Sequence, residues 1–254
     1  MIACTLKLAA IAAVAVAISA PLATRAFAEN ADPTLPGGSW QLIKQLPDFS
    51  GVWEPINPIK QADNYRQKFP LTAKAAAEYS DLAKKIAAHQ KIDSRTITLP
   101  GAGIPCQPRG FPGGMFDDKA LLEFEFTPGR VTINDTAGWV RWVYTDGRKH
   151  LDFSESFQGD SIAHWDGKAL VVDSDYMDAN NELVPGLKIG PEAHVVERYS
   201  LTDANTMTVD MTIEAPIFST PYKTTLKVRR HADWQINEYD CYFNNRDTNH
   251  KIVR

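Results

Sequence analysis

Apolar and polar residues alternate over most of the second half of the chain. In residues 206–214, Met207, Val209, Met211 and Ile213 fall on one side, and Thr208, Asp210, Thr212 and Glu214 on the other. Residues 222–231 repeat the pattern, with Tyr222, Leu226 and Val228 set against Lys223, Lys227 and Arg229. A period of two is the signature of an antiparallel strand with one dry and one wet face. Similar runs occupy 121–126, 130–134, 139–145 and 168–174. Thr127-Pro128-Gly129 reads as a hairpin turn between the first two, and Asp166-Gly167 suits a type I′ turn before the last. Together they predict about eight to ten strands in a meander.

One segment departs from this period. Ala75, Tyr79, Leu82 and Ile86 recur at helical spacing, with Lys74, Glu78, Lys84 and Lys85 turned to water. This predicts a single helix over about 72–90, N-capped by Thr72, with His89 as a surface residue near its end. Residues 29–47 read as a loose lead-in before a short β start at Asp48–Pro55 anchored by Trp53, and the Pro/Gly-dense Leu99–Met115 reads as irregular. The fold class expected is all-β: an antiparallel, closed or nearly closed barrel with one helical insertion.

The N-terminus changes the picture. Lys7 precedes an apolar run from Leu8 to Ala23, and Ala26-Phe27-Ala28 has the small-x-small form of a cleavage site. Residues 1–28 are therefore expected to be a secretory signal peptide, and 29–254 a single barrel domain that is periplasmic or secreted. The apolar run is shorter than the roughly 20 residues of a membrane span, so no membrane insertion is expected after cleavage. Cleavage removes Lys7 and Arg25 but no acid, which takes the formal net charge from −4 to −6. That balance speaks against nucleic acid and against an anionic membrane surface, and favours a small-molecule partner. Cys106 and Cys241 would be the only cysteines left, and two cysteines in an exported chain are expected to pair.

Several motifs carry a resemblance. Asp-Phe-Ser-Gly-Val-Trp from Asp48, the segment from Cys106 to Met115, Asp146-Gly147-Arg148-Lys149-His150, the stretch Gly159–Ser174, His194–Leu201 and Glu238–Asp247 occur in that order. They resemble the ordered motifs of a large group of secreted bacterial proteins, most of them without an assigned function. The early G-x-W followed by a meander is also similar, more weakly, to the lipocalin and wider calycin barrels. The resemblance implies export and a calycin-like barrel. Between Ser174 and His194 the chain lacks a histidine that is common in that group.

Candidate chemistry concentrates between Asp146 and Tyr199. In residues 194–201, Glu197 shares a face with Val195 and Tyr199, and His194 and Arg198 share the other. Either face, turned inward, buries a charge that requires a partner. Arg141 or Arg148 would serve Glu197, and Asp173 or Asp146 would serve Arg198. A buried ion pair that fixes strand register is one reading of such a pair. The other is a site in which His164 or His194 carries a proton, Glu197 or Asp173 orients it, and Arg148 or Arg198 stabilises an anion. Asp146 and Gly147 look like a turn. Trp142, Trp165, Tyr144 and Tyr199 are candidate ligand-lining aromatics, within a set of tryptophans that also suits core packing.

Other chemistries lack their motifs. No His-x-x-x-His pair or cysteine–histidine spacing is present, so no metal is assigned. The run Asp173–Glu182 is rich in oxygen donors but lacks the glycine of a calcium loop and reads as an acidic, solvated loop. Ser161 is not in a nucleophile elbow, and no dinucleotide or phosphate loop occurs, so no cofactor is expected. Two functions follow: a barrel that binds a small organic molecule, aromatic or isoprenoid, in its cavity, or a cofactor-independent lyase, hydratase or isomerase using the same cavity.

N-terminal sequencing of exported protein should begin at Glu29, and its intact mass should rise by two hydrogens on reduction of Cys106–Cys241. That bridge, closing a loop of about 135 residues, should contribute about 4–5 kcal/mol, measured as the loss of stability under reductant.

Overall fold

Most of the segments that alternate in sequence do form strands. The computed structural model describes residues 32–57, 68–87, 110–116, 120–136, 138–151, 154–184 and 186–237. The expected signal peptide, His89, Cys106 and Cys241 lie outside them. In chain order the elements are α1 (Trp40–Ile43), β1 (Val52–Pro55), α2 (Ala73–Ala87), a 3₁₀ turn (Gly113–Phe116), β2 (Leu122–Thr127), β3 (Arg130–Asp135), β4 (Val140–Tyr144), β5 (Asp160–Asp166), β6 (Ala169–Asp175), β7 (Glu182–Val184), β8 (Leu187–Lys188), β9 (His194–Asp203), β10 (Thr206–Glu214) and β11 (Tyr222–His231).

Nine strands close into a barrel in the order β1-β11-β10-β9-β6-β5-β4-β3-β2, and β7 and β8 form a separate ribbon. The barrel is mixed, which corrects the expectation of a wholly antiparallel one: β4 and β5 pair in parallel, through Val143↔Ser161 and Tyr144↔Ile162. The number of strands requires it. Directions can alternate all the way round a closed ring only if the ring has an even count, so nine strands must leave one parallel seam. The chain crosses it with residues 145–159, a connection long enough to return to the starting end.

Local chemistry accounts for the turns. Pro128-Gly129 joins β2 to β3 with Gly129 at φ 75°, the arrangement of a type II turn. Between β5 and β6 the register pairs Asp166 with Ala169, so the turn residues are Gly167 and Lys168, not Asp166 and Gly167. Of these only Gly167 has a positive φ, at 61°. That is a type II′ pattern instead of the type I′ anticipated. Asp146 does make a turn, accepting the backbone N–H of Arg148 at 3.2 Å.

The helix forms as its spacing predicts. Thr72 caps it by accepting the Ala75 N–H on its hydroxyl at 3.3 Å, and Ala75 and Tyr79 are buried. Part of the lead-in is ordered as well: Ser39 caps α1 through the Leu42 N–H. The Pro/Gly-rich segment contributes a regular element in the 3₁₀ turn. Gly113 permits this, because a Cβ there would sit 1.8 Å from the Glu182 carbonyl oxygen.

Along β10 and β11 the apolar set faces a core built from Trp53, Phe124, Val131, Ile133, Val143, Leu170, Val172, Val195, Tyr199, Met207, Val209, Met211, Ile213, Leu226 and Val228. Segment 110–116 and the β7–β8 ribbon pack on the same cluster through Phe111, Met115, Leu183 and Leu187. Asn181 joins these parts: its side-chain amide donates to the carbonyls of Phe111 (2.8 Å) and Phe157 (3.0 Å). Met177, Asn181 and Glu182 are buried. The run 173–182 is thus a packed connection and not the solvated loop its composition suggests.

Asn181→Ala strands the Phe111 carbonyl and leaves the Phe157 carbonyl with only the Phe111 N–H. It should cost about 2 kcal/mol and lower Tm by roughly 4–8 °C, read by calorimetry.

Candidate functional site

Two polar clusters flank the parallel seam, one on each face of the sheet. Alternation assigns them: on β4, β5, β6 and β9 the positions of Arg141, Ser161, Ser174 and Glu197 point into the barrel, and those of Trp142, His164, Asp173 and His194 point outward.

Glu197 is fully buried, and Arg141 on β4 reaches it at 2.5 Å from Nη2 to Oε2. The same Nη2 donates to Ser174 Oγ (2.7 Å), and Nε donates to Ser161 Oγ (3.1 Å). The two serine hydroxyls are 2.9 Å apart. The Tyr199 hydroxyl donates to the second Glu197 oxygen at 2.6 Å. The Phe111 ring lies over the guanidinium, with its centroid 3.5 Å from Cζ, and Met115 Sδ approaches the Tyr199 hydroxyl. Burial opposes the charge on Arg141, but Glu197 and Tyr199 beside it outweigh that, and its pKa rises. Burial first, and then the Glu197 carboxylate, push the Tyr199 phenol well above its ordinary value. Arg141 Nη1 finds no acceptor among the described residues, nor does Trp165 Nε1.

Beyond this pair the interior is apolar and holds an aromatic tier. Tyr199 meets Phe124 edge-on, and Trp165 stacks on Phe126 beside Phe49.

The outer cluster is built from the crossover and the strands beneath it. His150 Nδ1 lies 2.9 Å from Asp160 Oδ2, an oxygen that also accepts the Leu151 N–H at 3.1 Å. His150 Nε2 is 3.3 Å from Asp173 Oδ1 and 3.8 Å from Asp175 Oδ2. His194 Nε2 approaches the same Asp173 oxygen at 2.7 Å. Burial disfavours the charged form of His150, but hydrogen bonds to Asp160 and Asp173 and the charge of Asp175 prevail, and its pKa rises.

The residues singled out in the sequence therefore divide. Glu197 and Tyr199 are inside, joined by Arg141, the first of the two arginines proposed as partner. Arg148 instead grips Asp146 at 2.5 Å and stacks on Tyr144. Arg198 pairs with Asp166 on the outer surface, at 2.8 Å, and not with Asp173 or Asp146. His194 and Asp173 meet each other, but the sheet separates both from Glu197. His164 is exposed. Trp165 lines the interior, whereas Trp142 is 55% exposed with Arg130 beside its ring, and Tyr144 faces outward.

Sequence reasoning did not assemble Ser161 and Ser174 with Arg141, nor Asp160 and Asp175 with His150. The signal available was an odd polar residue on the apolar face of a strand, seen at Arg141, Ser161 and Ser174. In comparisons with known proteins, no family model and no curated protein matches the chain.

Arg141→Met leaves a buried carboxylate unpaired and should destabilise by about 3–5 kcal/mol, whereas Arg141→Met with Glu197→Gln should recover most of that loss. Urea denaturation of both variants measures the difference.

Proposed function

We propose that the barrel interior binds a small organic molecule with an aromatic or isoprenoid body and one oxygen acceptor. The observation that carries this is Arg141 Nη1, a buried N–H group without an acceptor among the described residues, at the edge of a small polar cluster in a mostly apolar interior. An unmade hydrogen bond on a buried charged group is costly, and a carbonyl or carboxylate of a ligand would satisfy it. The aromatic tier of Trp165, Phe126, Phe49, Phe124 and Tyr199 supports a flat or polyene body, and a mostly apolar lining with few polar groups is the usual make-up of such a site. The same proposal includes export, a periplasmic or secreted location and a Cys106–Cys241 bridge, which the N-terminal pattern and the cysteine count support.

Binding is favoured over a lyase, hydratase or isomerase because of the faces. The acid–base reading assigns the proton to His164 or His194, and both are on strand positions of the side opposite Glu197.

Native mass spectrometry of the purified protein should reveal one stoichiometric small molecule, extractable by organic solvent. The variant Arg141→Met with Glu197→Gln should fold and bind that molecule about 10–100-fold more weakly, as the loss of one charged hydrogen bond predicts. A protein that carries no such molecule, and whose fluorescence does not saturate with aromatic or isoprenoid carboxylates, would overturn the reading.

A further inference from the structure

We infer that the outer cluster is a binding site for a divalent first-row transition ion of the zinc class, held by His150 Nε2, Asp173, Asp175 and His194 Nε2. This stands independently of what occupies the barrel interior. One ligand atom from each of His150, Asp173 and Asp175 lies within 4.8 Å of the other two. His194 Nε2 lies outside that group, 2.7 Å from Asp173 Oδ1, and would complete the set by turning its partly exposed ring toward the ion. Around a tetrahedral ion with bonds of about 2.0–2.2 Å, neighbouring ligand atoms are about 3.3–3.6 Å apart. The His150–Asp173 and His150–Asp175 separations of 3.3 and 3.8 Å lie near that range, whereas the 2.7 Å between His194 and Asp173 is a hydrogen-bond contact that an ion would replace.

Three features separate this cluster from an ordinary acidic patch. Two of its four ligand atoms are imidazole nitrogens, a donor set that suits zinc and its neighbours and does not suit calcium or magnesium. The other ring nitrogen of His150 is engaged by Asp160, which is itself buried. A carboxylate holding Nδ1–H presents Nε2 as the free donor, the arrangement that orients metal-binding histidines. Finally, three carboxylates surround two imidazoles, so the cluster stays negative in either protonation state of the rings, and a divalent cation balances it. Arg148, two residues before His150 on the crossover, is already paired with Asp146.

The ligands come from three segments: the crossover (His150), β6 (Asp173 and Asp175) and the start of β9 (His194). A bound ion therefore fastens the crossover to the strands it passes over.

The test uses the full-length, untagged protein, freed of metal by chelator and titrated calorimetrically with zinc, cobalt and calcium. One equivalent of zinc should bind, cobalt should give the intense visible bands of a tetrahedral site, and calcium should not compete at a tenfold excess. His194→Gln and Asp175→Asn should each weaken zinc binding by at least tenfold. Asp160→Asn, which touches only the orienting carboxylate, should weaken it by about 10–100-fold. Circular dichroism confirms that each variant is folded, and Asp175, near the sheet surface, is the substitution least able to disturb it. Zinc binding that is absent, that is equalled by calcium, or that survives unchanged in both His194→Gln and Asp175→Asn would overturn the inference.

Discussion

Direction alternates round a closed ring of strands only when the ring has an even number of members. With nine, the odd strand has to lie alongside a neighbour that runs the same way, and the chain must leave the sheet to arrange it. Most of what distinguishes this barrel follows from that constraint. The crossover 145–159 exists because β4 and β5 are parallel. It carries His150 across the outer wall to Asp173 and Asp175 on β6. On the inner side, the seam brings Arg141 and Ser161 onto adjacent strands, where the guanidinium holds both sides of the junction to Glu197 on β9.

The ion pair inside the barrel is costly to assemble, because two charges leave water, and its benefit lies in geometry as much as in energy. Arg141 bonds to groups on β5, β6 and β9, so a slip of one residue in any of those strands would turn its partner outward and leave the charge stranded. This is the register lock that a lone buried charge on an alternating strand suggests. One guanidinium nitrogen without an acceptor among the described residues is what the proposed binding role rests on.

The legible and illegible parts of the fold divide by the range of the interaction behind them. Met207 to Ile213 on β10 and Tyr222 to Val228 on β11 announce their buried face locally, since each side chain's environment is set by its own strand. Ala75 and Tyr79 on α2 do the same, and Pro128-Gly129 forms a turn that its own backbone chemistry dictates. The parallel seam was not legible, because it depends on the total number of strands. The β7–β8 ribbon was missed because three- and two-residue strands have no measurable period. The same limit applies to the polar clusters. Glu197 could be seen to need a cation, and Arg141 was one of two candidates, but His150 and Asp160 share no spacing that reveals their contact.

The thin pairing of the seam has a mechanical side. Among the described residues, two residue pairs join β4 to β5 and two join β1 to β2. The three strands between those joints, β2, β3 and β4, are well paired with one another. They form a stiff stave between two soft joints, so thermal breathing of the wall concentrates at its edges, and amide hydrogens there exchange sooner than those in the long ladders of β9, β10 and β11.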